Sequence, residues 1–475
     1  MNAVTYDSTS SNSNAVGWIT AARMFVGFWW IIEATIGRFW KFGSFASGLN
    51  PEWFGPEAGS RIAGIAQTGI DEGAWWWYVS VLENVLLPSA GFWAPVVSYL
   101  QLLIGIALVL GFFTRFTASG GLLMLVSIIL MGSFRTSPFL IAGHLFILAT
   151  NAGLYYSIDR RLFGARPKSG FFALLATAPL NFSKQIRGIV GIAAGVLGLY
   201  FLMQTSSLPF PRYIYVSQEL AVFLGMIAVG LYMSMHTKHS TLTIATAMLR
   251  VYLGYKLLWW MWTAPNVSLT SLPGLDDPTR LAETFAQGAE SHWLPLAALI
   301  QGAFLPLAGF WSAAFGAAQL VIGILLVIGW RTRAANWAAI WLTLLYTLLG
   351  FTRYAPYILG FSFIVMALGS GVQLSFVNSM LGRPAPKAQI LALPVPSTAI
   401  YGLLSLVGFV LAFLLGVVPN GYSSAVGSTV FWTMGINVGI LGLVGLLLAN
   451  QPASSASGEF ADLDGDLGDF SSQGT

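Results

Sequence analysis

Apolar stretches of about 18 residues or more recur along the chain between short polar turns, each long enough to cross a hydrocarbon core of about 30 Å as a helix. They predict twelve transmembrane helices, at 17–37, 93–112, 118–134, 137–157, 187–205, 214–235, 241–262, 311–330, 335–351, 355–376, 397–418 and 425–449. The expected fold class is therefore all-α, a polytopic membrane protein. Two further segments, 41–92 and 263–310, separate the first and second helix of each half and are rich in tryptophan and tyrosine. Amphipathic rings of this kind sit well at the headgroup level, so short interfacial helices are expected there.

The pattern also repeats in detail. Leu87 to Trp93 reads LPSAGFW and Leu305 to Trp311 reads LPLAGFW. The register continues without a gap through Gln101 and Gln319, Gly105 and Gly323, Thr114-Arg115 and Thr332-Arg333, Arg135 and Arg353, Pro138 and Pro356, and Gly153 and Gly371. Upstream it extends, with small length changes, to Arg61 with Arg280 and to Arg23-x-x-x-Gly27 with Arg250-x-x-x-Gly254. A repeat of this length sets the architecture. It predicts a polar N-terminal segment (1–16), a four-helix module (17–163), a two-helix extension (164–240), a second four-helix module (241–382), a second extension (383–450) and a disordered acidic tail (451–475). Six spans per half place the two copies parallel, related by an axis along the membrane normal.

Composition narrows the class. The chain is 56% hydrophobic and 8% charged, against about 25% charged in a soluble globule, so its solvent is a lipid bilayer. The net charge of +4 does not point to a nucleic acid. The bases fall in short loops and favour cytoplasmic N- and C-termini in a multi-pass plasma-membrane protein. The absence of cysteine excludes disulfides, thiolate nucleophiles and Cys-ligated iron–sulfur clusters within the chain. No metal is expected. Nor is haem, because no second histidine lies within the predicted spans to complete a bis-His pair.

Ionisable residues within a bilayer are costly and are functional candidates by default. Glu33, Gln101 and His144 fall at similar predicted depth towards the outer face, with Arg38, Lys41 and Arg135 at the neighbouring helix ends and Glu83 at the mouth. The second copy keeps Gln319 and Arg353 but carries Ser362 opposite His144, Gln301 opposite Glu83 and Trp260 opposite Glu33. The site is therefore expected in the first copy. Plain alternatives stand beside it. Glu33 can be the ion-pair partner of Arg38 or Arg135, and His144 can be a buried histidine bonded to Gln101 or to a backbone carbonyl.

With Arg23-x-x-x-Gly27, the basic Lys41 after the first helix, the long external segment, the run Gln101-Leu-Leu-Ile-Gly105 to Gly111-Phe-Phe-Thr-Arg115, the turn near Gly132 and the helix from Pro138 to Tyr156, the chain resembles the DoxX/DoxD family of four-helix membrane proteins. The resemblance fits twice, over about 21–163 and 248–382, and implies a membrane subunit like that of a thiosulfate:quinone oxidoreductase. On that implication Arg61, Arg135 and Lys41 attract thiosulfate, with Arg38, Gln101 and Glu83 around them. Quinone is then the electron acceptor, seated near Trp29, Trp30 or Phe92, and Glu33 and His144 manage its two protons. A second redox subunit and a homo-oligomer are the implied partners. A transporter for a small anion or lipophilic solute, and a non-catalytic scaffold of a redox complex, are the competing expectations.

Overall fold

The computed structural model describes residues 8–35, 41–42, 49–132, 136–163, 171–176, 183–208, 211–237, 239–262, 278–291, 294–349, 355–369, 371–372, 374–381, 390–391, 398–417 and 425–449. Arg38, Arg135, Arg353 and the tail 451–475 lie outside them. All regular structure among the described residues is helical, and five helices are long and apolar enough to cross a membrane: 14–35, 90–110, 184–204, 212–236 and 308–328. The chain divides into an N-terminal unit, Arg23–His239, and a C-terminal unit, Ser240–Thr475 together with Met1–Ala22.

The N-terminal unit takes the second half of α1 (Ser8–Thr35) and continues through α2 (Pro51–Phe54), α3 (Ser60–Asp71) and α4 (Trp76–Val81). A π-turn at Leu82–Leu86 leads into α5 (Ala90–Leu110), followed by α6 (Thr114–Leu130), α7 (Ser137–Ala149), α8 (Ile158–Phe163) and α9 (Phe171–Ala176). The paired helices α10 (Lys184–Gln204) and α11 (Pro211–His236) close the unit. The described part of the aromatic segment, 49–92, is thus largely helical, as its pattern predicted. Arg212 of α11 ties to it through Glu72 (2.9 Å), and Tyr213 packs edge-on to Trp75 with ring centroids 5.4 Å apart.

Helix α5 shows how lipid inverts the usual amphipathic rule. Its buried stripe is Ala90, Ala94, Ser98, Gln101, Gly105 and Leu108, mostly small or polar. Phe92, Tyr99, Leu103, Ile106 and Leu110 face outwards. Where the solvent is hydrocarbon, large apolar side chains gain nothing by turning inwards, and small ones allow backbones to approach. Gly27 of α1 meets Gly105 of α5 in this way: a Cβ on Gly27 would stand 2.8 Å from both Gly105 O and Val109 N. Gly111, with φ 67°, ends α5 while the Phe112 amide donates back to Ala107 O (2.8 Å), a left-handed cap that glycine adopts without strain.

The C-terminal unit contains α12 (Thr241–Trp262), α13 (Pro278–Ser291), α14 (Leu294–Leu299), a π-turn at Ile300–Phe304, α15 (Ala308–Ile328), α16 (Thr332–Leu348), α17 (Ala355–Ala367), α18 (Phe376–Met380), α19 (Thr398–Val417) and α20 (Ala425–Ala449). The lengths of α15, α16 and α17 equal those of α5, α6 and α7, and the π-turn recurs before α15. Gly254 and Gly323 cross as Gly27 and Gly105 do, with a Gly254 Cβ falling 2.8 Å from Gly323 O.

Two expected spans are corrected. The runs 137–157 and 355–376 fold as helices of only 13 residues, α7 and α17, that stop at Ala149 and Ala367. At 1.5 Å per residue each is about 20 Å long, short of a full crossing. Beyond α7 the backbone turns through the left-handed Asn151 (φ 49°), and its carbonyls face Arg23 instead of continuing the helix. Hydropathy cannot register that change, because the residues after the break remain apolar.

Gly27→Ala and Gly254→Ala are each expected to destabilise the protein by about 1–3 kcal/mol, the usual cost of overpacking a tight contact. The measurement is the thermal melting midpoint in detergent. Midpoints equal to wild type would show that these crossings tolerate a methyl group.

Candidate functional site

Six residues beyond the C-terminal end of α1, Lys41 is buried at 3% exposure. Its Nζ donates to Gln101 Oε1 on the buried stripe of α5 and lies 4.9 Å from the centre of the Trp53 ring on α2. Trp53 itself belongs to a small core with Ile62, Ala90 and Ala94, so α2, α3 and α5 together hold the indole in place. Glu33, half-buried two residues before the end of α1, supplies the opposing charge. Next to this group Phe42, Phe54 and Tyr99 form a ring cluster with centroid separations of 4.9–5.5 Å. Burial pushes the Lys41 ammonium down to about 8, while the Glu33 carboxylate acts to raise it.

His144 lies in a second cluster, fully buried on α7. Trp30 Nε1 donates to His144 Nε2 at 3.1 Å, and His144 Nδ1 is 2.7 Å from the Leu140 carbonyl oxygen. An indole N–H can only donate, so Nε2 is the acceptor and the proton resides on Nδ1, bonded to Leu140. Both ring nitrogens are engaged and the imidazole is neutral in this arrangement. Gly121 makes room for it, since a side chain there would collide with Nε2.

The structure thus brings together Lys41, Gln101 and Glu33 from the expected site, and sets His144 against Trp30. Arg61 lies on α3, partly buried. Glu83 is exposed on the π-turn. Sequence reasoning missed two features. Trp53 was read only as part of an aromatic segment, although an indole just downstream of a conspicuous buried lysine is the natural cation–π partner. Asp159 was not singled out at all. It is fully buried, and its carboxylate accepts the Phe113 and Thr114 amides, both at 2.7 Å, beside the guanidinium of Arg23.

Residues 45–133 match the family model for DoxX. This stretch is similar to a DoxX domain. It covers α2 to α6, and with them Trp53, Arg61, Glu83 and Gln101; Glu33, Lys41 and His144 lie outside it. No protein of curated function and no solved structure matches the chain. With its DoxX match and lipid-length apolar helices, the chain is a helical membrane protein.

An amine held below its ordinary value of 10.5 opposes folding while it is charged. Folding stability is therefore expected to rise as pH climbs from about 8 towards 10.5, where the unfolded chain also loses the proton. Lys41→Met should flatten that rise in melting midpoints recorded against pH. If the two pH profiles coincide, the buried-ammonium assignment is wrong.

Proposed function

We propose that the protein is a membrane subunit of a quinone-linked oxidoreductase, with Lys41, Gln101 and Glu33 as its polar site and thiosulfate as the electron donor. The observation that carries this reading is a buried ammonium held between an amide oxygen and an indole face, with a carboxylate nearby and flat aromatic surface alongside. An ammonium has three N–H donors. With one of them on Gln101, Lys41 retains capacity to bond a carbonyl oxygen placed against Phe54 and Tyr99. Tyr99 and Leu103 stand exposed on the outer face of α5, which supports lateral entry from lipid.

A bound quinone supplies two-electron, two-proton acceptor chemistry. Two thiosulfate ions joined through a new sulfur–sulfur bond give tetrathionate and release the two electrons. Lys41 would give one proton from Nζ, and the Glu33 carboxylate would take up the second from water and pass it on, while Gln101 fixes the amine. Arg61, with Arg38 and Arg135, would collect the thiosulfate dianion. His144 is assigned to positioning α7 against α1, since both of its nitrogens already have partners. The chain has no cysteine, so electrons would pass directly between the substrates or through a second redox subunit.

The same reading takes the chain as a duplicated module, at 17–163 and 241–382, with two-helix extensions at 164–240 and 383–450. Equal helix lengths and recurring π-turns and glycine crossings support it. It also places both termini on the cytoplasmic side of the plasma membrane, on the distribution of basic loops, and allows a homo-oligomer. The scaffold reading is favoured by one observation, the internally satisfied His144–Trp30 pair.

The deciding assay is thiosulfate-dependent quinone reduction by the full chain in nanodiscs, and in parallel in the native membranes that would hold a partner subunit. Lys41→Met should lower the rate by about 100-fold, the scale of lost proton transfer. His144→Phe should lower thermal stability more than the rate per folded molecule. No reduction by wild type in either setting would favour the scaffold.

A further inference from the structure

The geometry points to an oxyanion-binding site in the C-terminal unit, at the start of α16, that takes a phosphate-class anion. A cavity of about 320 Å³ opens there, lined by Arg331, Thr332, Arg333 and Asn378 with Gly329 and Val372.

The equivalent corner of the N-terminal unit shows what such a place holds. There α6 begins at Thr114, and the amides of Phe113 and Thr114 both donate to the buried Asp159 carboxylate at 2.7 Å. The two corners match residue by residue. Each preceding helix ends on a left-handed glycine, Gly111 (φ 67°) or Gly329 (φ 77°), and two residues later comes a left-handed residue with a side chain, Phe113 (φ 43°) or Arg331 (φ 45°). Each following short helix is capped by a serine: Arg160 N donates to Ser157 Oγ at 3.0 Å, and Asn378 N to Ser375 Oγ at 3.2 Å. One residue before Arg160 stands Asp159, and one residue before Asn378 stands Val377.

The C-terminal unit therefore keeps the backbone geometry of this arrangement and has an isopropyl group in place of the acid. The opposite charge has been added: Arg331 occupies the position of Phe113, next to Arg333, which corresponds to Arg115. Thr332, 2% exposed, has a hydroxyl without a hydrogen-bond partner among the described residues, as Thr114 does in the other corner, but here that residue is part of a cavity wall. Amides at a helix N-terminus, two guanidinium groups and a buried hydroxyl form a donor set suited to a tetrahedral oxyanion. Arg331 also lies 5.5 Å from the ring of the exposed Trp330, a residue type favoured at headgroup level. The anion can thus come from solution as phosphate or from a lipid as a phosphate headgroup.

The test uses the full-length protein in a phosphate-free maltoside detergent. Inorganic phosphate in one arm and a short-chain phosphatidic acid in the other are titrated against sodium chloride of equal ionic strength, with the melting midpoint as readout. A midpoint that rises with the logarithm of ligand concentration is expected in at least one arm, and the responding arm identifies the source. Val377→Asp restores the internal carboxylate and should abolish the response while raising the ligand-free midpoint. Arg331→Gln/Arg333→Gln should abolish the response without that rise, and decides the matter if Val377→Asp does not fold. No ligand-dependent shift in wild type, or an unchanged shift in the double glutamine variant, overturns the site.

Discussion

A carbonyl released from a helix inside lipid has no water to accept from, so the protein must supply a donor. In each unit an arginine on the long helix meets that demand. Arg23 donates to the carbonyls of Ala152, Tyr155 and Tyr156 at 2.7–2.8 Å, where the chain leaves the short helix α7. Arg250 does the same for Gly371 and Leu374. A guanidinium suits this task because its planar fork serves several acceptors at once. The glycine crossings one turn further along α1 and α12 bring the helices close enough for the fork to reach.

The candidate site depends on that anchorage. Fixed near its middle by Arg23 and held at Gly27, α1 presents Trp30 to His144 and sets Glu33 near Lys41, which in turn donates to Gln101. The two clusters differ in kind. His144 closes a neutral pair of hydrogen bonds that stiffens the contact between α1 and α7, whereas Lys41 carries charge into a partly aromatic surround with a carboxylate to balance it. A satisfied neutral network rigidifies; a buried ammonium with remaining donor capacity can serve chemistry.

Matching corners with different side chains place two residue sets on one backbone arrangement. At the start of α6 the acid is built in, and Asp159 neutralises both the helix terminus and the nearby Arg23. At the start of α16 valine replaces it and arginine is added. The backbone geometry is shared by both, so on the proposal above a two-residue change exchanges a built-in carboxylate for an anion-binding surface.

Much of the fold was legible along the chain. Hydrophobic run length located each of the long helices, because lipid selects directly for apolar residues over a fixed thickness. The doubled register picked out Gly105 and Gly323 as packing glycines and paired Arg23 with Arg250, but that both arginines are buried emerged only in the structure. Gln101 stood out as a polar residue within an apolar run, and it is indeed turned inwards. What hydropathy could not locate was where α7 and α17 stop, since their continuations are equally apolar and the break is set by an arginine more than a hundred residues distant. The partners of Lys41, of His144 and of Asp159 were likewise decided only in three dimensions. Sequence spacing gives depth along a single helix; which side chains share that depth, and which of them already have their hydrogen bonds made, is determined by how the helices cross.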